Sequence, residues 1–256
     1  MTTDPNGPNL SGIWDVGRPS RLPARRENSR RDACSTPLKS APFPTDPRMD
    51  LQIGGFVPFT TVDFPGKLSA VVFCQGCGWR CRYCHNTHLQ AFRVERPEWE
   101  WGNVRKLLEE RRGFLEAAVF SGGEPTAQPA LVGAIREVKE MGYLIGLHTA
   151  GMFPEGLAEV LPLVDWVGLD IKAPLDDRYE AVTRRPRGHE AVLRSLDLVL
   201  ASGIAYELRT TVHPSLLGER EKADILSELV KRGAGAPRFQ PFRREGCLDG
   251  GLLAAV

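Results

Sequence analysis

The chain has 256 residues, 42% hydrophobic and 25% charged, which is the make-up of a globular protein with room for one domain and an extension. With 33 basic against 32 acidic residues it carries a formal charge of +1, so no whole-chain field draws it to nucleic acid or to an anionic surface. No apolar run approaches the roughly 18 residues of a membrane span, and four of the six cysteines cluster without a secretory signal, which points to a reducing cytoplasm rather than a disulfide framework.

Residues 1–50 hold eight of the 20 prolines and almost no periodic apolar pattern, and read as a disordered Pro/Arg-rich extension. Arg18, Arg21, Arg25, Arg26, Arg30 and Arg31 make it basic: a solvated tail, or a contact for an acidic partner or nucleic acid. Glu27 and Asp32, with no apolar segment, argue against a targeting peptide, and Met49 is an alternative start. Residues 51–256 are expected to form the functional domain. Strands are predicted at 68–74, 117–121, 143–148, 165–171, 205–212 and 236–240, with helices at about 103–112, 128–141, 154–161, 188–202 and 219–232. Nearly continuous apolar strands alternating with amphipathic helices indicate an α/β fold with a parallel sheet covered by helices. Six units are too few to close an eight-unit barrel, so an open, partial (β/α)6 barrel is expected.

The first of these strands empties into CQGCGWRCRYCHNTH, where Cys77, Cys81 and Cys84 stand as C-x3-C-x2-C. Three thiolates on so short a loop can converge on one metal centre; on a four-iron cube they leave one iron open for chemistry. A zinc module using Cys74 as fourth ligand is the alternative of a different class, but its two C-x2-C pairs would be unusually close together. Cys74 ends an apolar run and suits a buried position.

Ligands in such sheets bind at the carboxyl ends of the strands, and there the sequence turns polar. Ser121-Gly122-Gly123-Glu124-Pro125 follows the second predicted strand; its glycines permit close backbone approach, and Glu124 could face a cation. Asp170 and Lys172 alternate, so they share a face, as ligand contacts or as a structural ion pair. Arg209 sits inside an otherwise apolar strand and needs an anionic partner.

CGWRCRYC resembles the cysteine signature of radical S-adenosylmethionine (SAM) enzymes. GGFVPFTTVDFPG, SGGEP, LDIKAP, ELRTTVHP and QPFR extend the resemblance, from residue 53 to about 249, to the anaerobic ribonucleoside-triphosphate reductase activating proteins, relatives of pyruvate formate-lyase activase. The resemblance implies a 4Fe-4S cluster on Cys77, Cys81 and Cys84 and a SAM site built from Tyr83, Gly122, Gly123, Glu124, Pro125, Asp170, Lys172, Arg209 and Gln240. In it, the SGGEP segment takes the methionine amino group, Asp170 and Lys172 lie near ribose and carboxylate, Arg209 pairs with the carboxylate, and Gln240 reaches adenine. Tyr83, and Trp79 with it, shields the cluster or packs near adenine. The implied partners are a glycyl radical enzyme, ribonucleotide reductase before pyruvate formate-lyase types, and a flavodoxin or ferredoxin as electron donor. A small-molecule radical SAM enzyme such as a 7-carboxy-7-deazaguanine synthase is a further reading. One departure stands out: His148-Thr149-Ala150-Gly151 replaces the Asp-Thr-Asn-Gly common in related activases, which puts their monovalent cation site in doubt. His148 is then either a neutral hydrogen-bonder or a packed strand-end residue. His85 and His88 are expected to shape the cysteine loop, and Cys247 to be a free or structural thiol. Little chain remains after the last strand, so the mouth is expected to be open to a macromolecular substrate unless residues 241–256 form a lid.

Overall fold

The computed structural model describes residues 50–255 apart from 96, so the proposed N-terminal extension lies outside the described residues. Seven strands form one sheet in chain order: β1 (Ile53–Thr60), β2 (Ser69–Cys74), β3 (Ala117–Gly122), β4 (Leu144–Thr149), β5 (Trp166–Asp170), β6 (Ala205–Val212) and β7 (Arg238–Pro241). β1 runs antiparallel to β2, and every later pair is parallel. The connections carry α1 (Trp101–Glu110), α2 (Leu131–Glu140), α3 (Pro154–Val160), α4 (Tyr179–Thr183), α5 (Gly188–Ser202) and α6 (Glu219–Lys231), and α7 (Gly250–Ala254) follows β7. A sheet whose strand order equals chain order is wound in one direction, and right-handed crossovers then place all connecting helices on one face. Among the described residues β7 does not pair with β1, so the barrel is open as expected.

Register assigns the two faces. Ala70, Val72, Ala118, Phe120, Ile145, Leu147, Val167 and Leu169 point one way and are fully or almost fully buried under Val104, Leu108, Ile135, Leu157, Val192, Leu196 and Leu229 of the helices. Each such Leu or Ile contributes about 1.5–3 kcal/mol by leaving water. On the other face Phe64, Val71, Ala117, Val119 and Trp166 form a second, smaller apolar cluster toward the amino ends of the strands. Beyond it, on the same face, come Ser121, His148, Asp170, Arg209 and Gln240. A floor of hydrocarbon thus carries a layer of polar groups at the carboxyl ends.

The six predicted strands and five predicted helices appear within about three residues of their expected bounds. β1 was not expected, because Gly54, Gly55 and Pro58 weaken a strand pattern. Its edge position tolerates a proline, and its register shifts by one residue between Ile53 and Gly55.

Candidate functional site

The cysteine loop is tied at its neck. The Gln75 amide donates to Ala91 O (2.6 Å) and His88 O (3.3 Å), while Gly76 N–H reaches Leu89 O (2.8 Å) and Cys77 N–H reaches Gln90 O (3.2 Å). Gln128 then bridges Gln75 O and Gln52 O, tying the loop to β1. Farther out, the Arg80 guanidinium donates to Cys77 O and Trp79 O, both at 2.8 Å. The backbone N–H groups of Arg80 and Arg82 bond to Thr183 O and Val182 O of α4. Trp79 packs edge-on against Tyr179 at 5.7 Å. The loop is therefore pre-shaped by its own chain.

Cys77, Cys81 and Cys84 are half-buried and free of disulfides. Burial pushes the Cys77 thiol up to about 12 and the Cys81 thiol up to about 11, with Lys172 pulling back on both. Thiolates there require a cationic centre, which is what irons supply to cysteine ligands. Among the described residues no three His, Cys, Asp or Glu side chains gather closely enough for a single metal ion. A three-thiol donor set matches a 4Fe-4S cube with one open iron, whereas a closed zinc site takes four protein ligands. Cys74 is fully buried in the apolar core, and desolvation raises its thiol further.

The glycines of SGGEP make room for this loop rather than for open space. Gly122 has φ +112°, and a Cβ there would lie 2.5 Å from Cys74 N; one on Gly123 would meet Gly76 O. Gly123 N–H donates to Cys74 O (2.9 Å) and Glu124 N–H to Gly76 O (2.8 Å). Glu124 is 0% exposed and accepts four hydrogen bonds: from Thr126 N (3.2 Å), Thr126 Oγ1 (2.6 Å), Thr149 Oγ1 (2.7 Å) and Ala150 N (2.9 Å). Burial raises its carboxyl, and these donors oppose the rise. The cation-facing role expected of this side chain is thus taken by protein donors; Glu124 joins β3 to β4, while Pro125 starts a single 3-10 turn.

Asp170 and Lys172 do share a face, 3.2 Å apart, and Arg209 grips the other Asp170 oxygen through Nε (3.0 Å) and Nη2 (2.9 Å). The anion that Arg209 needs in its strand is therefore Asp170, one strand away, and not only a ligand. The two cations outweigh desolvation and hold the Asp170 carboxyl down at about 2; Asp170 correspondingly keeps Lys172 charged despite burial. The trio carries one net positive charge. Lys172 Nζ also lies 5.9 Å from the centre of the Tyr83 ring, whose hydroxyl donates to Lys172 O (3.3 Å). Tyr179, which no motif or spacing marks, accepts from Lys172 N–H (3.1 Å) and backs Trp79. Gln240 is half-buried at the end of β7, on the Arg209 face.

His148 is a neutral hydrogen-bonder. A carbonyl can only accept, so Nε2 carries the proton and donates to Asp63 O (2.9 Å), leaving Nδ1 to accept from the Ser121 hydroxyl (3.3 Å). Burial, with Arg209 nearby, lowers its pKa to about 3. His85 shapes the loop as expected, bonding Arg243 O (2.9 Å) and packing on Phe242. Cys247 is buried, and its thiol donates to Arg82 O (3.4 Å). Asp249 pairs with Arg82 at 2.7 Å and caps α7. Residues 242–252 thus close the His85–Arg82 side of the cysteine loop.

The family model described as the radical SAM superfamily matches residues 71–228. A protein of Methanocaldococcus jannaschii, provisionally named a glycyl-radical enzyme activating enzyme, is 35% identical over 188 residues, 69% of this chain and 75% of that one. The pyruvate formate-lyase-activating enzyme of Clostridium pasteurianum is 33% identical over 175 residues, 66% of this chain and 72% of that one. Among solved structures, Streptococcus suis SuiB bound to S-adenosylmethionine shares the fold with TM-score 0.54 at 11% identity, over 66% of this chain and 39% of that one. The enzyme anSMEcpe with bound AdoMet aligns with TM-score 0.52 at 17% identity, over 66% of this chain and 49% of that one.

Proposed function

The chain belongs to the radical SAM superfamily, and we propose that it activates a glycyl radical enzyme, with anaerobic ribonucleoside-triphosphate reductase as its partner. It is an enzyme whose cofactors are a 4Fe-4S cluster and SAM. The observation that carries the reading is the pinned loop of three free cysteines beside the Lys172–Asp170–Arg209 array, all at the carboxyl ends of the parallel strands. Activating-enzyme relatives at 33–35% identity support the reaction class.

In this reading Cys77, Cys81 and Cys84 hold three irons. A bound, reduced cluster would supply the one-electron reduction of SAM on which abstraction of hydrogen from a glycine Cα depends. The chain's part is to bind, orient and exclude water. Lys172 and Arg209, with one positive charge left over after Asp170, attract the SAM carboxylate and fix which way methionine lies. The Asp170 side chain stays a third exposed and can accept from a ribose hydroxyl. With Glu124 committed to protein donors, the SGGEP segment offers an ammonium its backbone carbonyls. Tyr83 and Trp79 exclude water from the loop, and Gln240 bounds the adenine side. Ser121 and His148 present fixed neutral dipoles where related activases carry an acid.

The choice of reductase rests on the sequence segments, whereas the Clostridium pasteurianum relative is named for pyruvate formate-lyase. No helix among the described residues is long and apolar enough to cross a membrane, and we place the protein in the cytoplasm with residues 51–256 as its catalytic domain. Anaerobic reconstitution followed by electron paramagnetic resonance tests the reading. A reduced cubane signal that changes on adding SAM, then a glycyl signal on the reductase and none on formate-lyase, is the expected result. Well-folded protein without a cubane signal overturns it.

A further inference from the structure

We infer that the arginine corner between α4 and α5 is the docking surface for an acidic one-electron donor protein. The inference rests on the radical SAM reading and locates where the cluster is fed. Arg184 (φ 58°) and Arg187 (φ 54°) are the two non-glycine residues with left-handed backbone among the described residues, and they bracket Arg185-Pro186. The bends are held from within: Arg184 N–H bonds Glu180 O (2.8 Å), Gly188 N–H bonds Arg185 O (3.2 Å) and Glu190 N–H bonds Arg187 O (3.2 Å). A strained backbone persists only where its surroundings over-determine it, so this corner is a fixed presentation of charge.

Its position ties it to the cluster. The residues just before it, Val182 and Thr183, accept the N–H groups of Arg82 and Arg80, which flank Cys81. The inward side of the loop is filled by Tyr83 and Lys172, and the His85–Arg82 side is closed by residues 242–252. The outward side is left to Gly78 and Arg80, both exposed, next to exposed Arg184, Arg185 and Arg187. Of the acids on these two helices, Glu190 neutralises Arg187 (2.7 Å), Asp197 pairs with Arg232 (2.9 Å) and Glu180 stays exposed; among the described residues Arg184 and Arg185 have no acidic partner. The patch keeps an excess of positive charge against a chain total of +1. Redox encounters are small, transient and steered by charge, which fits an exposed arginine corner beside a buried centre. In the transfer one electron leaves the donor's reduced flavin, which is oxidised by one electron, and the cluster is reduced by one; no bond forms or breaks.

The test uses full-length reconstituted protein and reduced flavodoxin as the probe, mixed anaerobically while cluster reduction is followed by absorbance. The double variant Arg184→Glu, Arg185→Glu is compared with wild type, both side chains being exposed and outside the SAM site. At low salt the second-order rate constant is expected to fall about tenfold or more, the gap closing near 0.5 M salt as the charges are screened. Dithionite-driven SAM cleavage is expected to be unchanged. An unchanged flavodoxin rate overturns the inference. So does a variant that loses binding to the glycyl radical enzyme while its flavodoxin rate holds, since the corner then serves that partner. Wild type that fails to cleave SAM even with dithionite overturns the underlying function instead.

Discussion

The two faces of the sheet obey the same alternation rule and arrive at opposite chemistry. Toward the helices, every second residue is hydrocarbon packed against hydrocarbon, and the gain is spread over dozens of contacts. On the other face the upper layer is Ser121, His148, Asp170 and Arg209, where a few strong polar links replace many weak ones. A spread-out core yields gradually to substitution; a sparse polar layer has single points of failure.

The sharpest way to break the contrast is at the loop above the polar layer. Cys81→Ala is expected to abolish the reduced cubane resonance and SAM cleavage to background, with thermal stability of the protein without cluster little changed. Next comes Asp170→Ala, which leaves Lys172 and Arg209 facing each other without their anion. Removing one member of a dry pair costs about 3–5 kcal/mol; with a third of the Asp170 side chain exposed, roughly 2–3 kcal/mol in urea unfolding is expected. On the helix side, Ile135→Ala should cost about 2–4 kcal/mol yet leave the cluster spectrum and its response to SAM intact. If Ile135→Ala perturbs that spectrum as much as Asp170→Ala does, the two faces are not separable.

Acid titration separates them more finely. His148 is held near 3 in the fold against an ordinary 6.5, so the unfolded chain takes up a proton first. Its contribution is whole above pH 6.5 and is lost as pH falls toward 3, with a slope of up to about 1.4 kcal/mol per pH unit. Asp170 adds a second loss only between its ordinary 3.8 and about 2. His148→Gln should remove the first slope and keep the second. The smallest effect is expected from Asp249→Ala, which removes the Arg82 pair and the α7 cap: about 1–2 kcal/mol, seen as faster amide exchange in residues 242–255.

The helix-facing side was legible because periodicity records burial, and the cysteine loop because its ligands are neighbours in sequence. What sequence spacing does not encode is partnership across strands. Asp170 meets Arg209 only through the β5–β6 register, which gave Arg209 an internal anion where a ligand alone was expected. His148 finds its acceptor on Asp63, 85 residues earlier, and a backbone carbonyl leaves no mark in composition. Gly122 and Gly123 were visible as glycines, but that they clear the Cys74–Gly76 backbone required the fold. β1 was hidden by Gly54, Gly55 and Pro58, residues that an edge strand accepts and a pattern search rejects.

Strand order that equals chain order also sets a timetable. Each strand emerging in synthesis finds its partner already made, so the sheet grows from β1 toward β7 without waiting for distant chain. The cysteine loop emerges at the second step, its holders Gln128 and α4 follow later, and Asp249, which clamps Arg82 from 167 residues away, comes at the last. Until that last step the His85–Arg82 side of the loop stands uncovered.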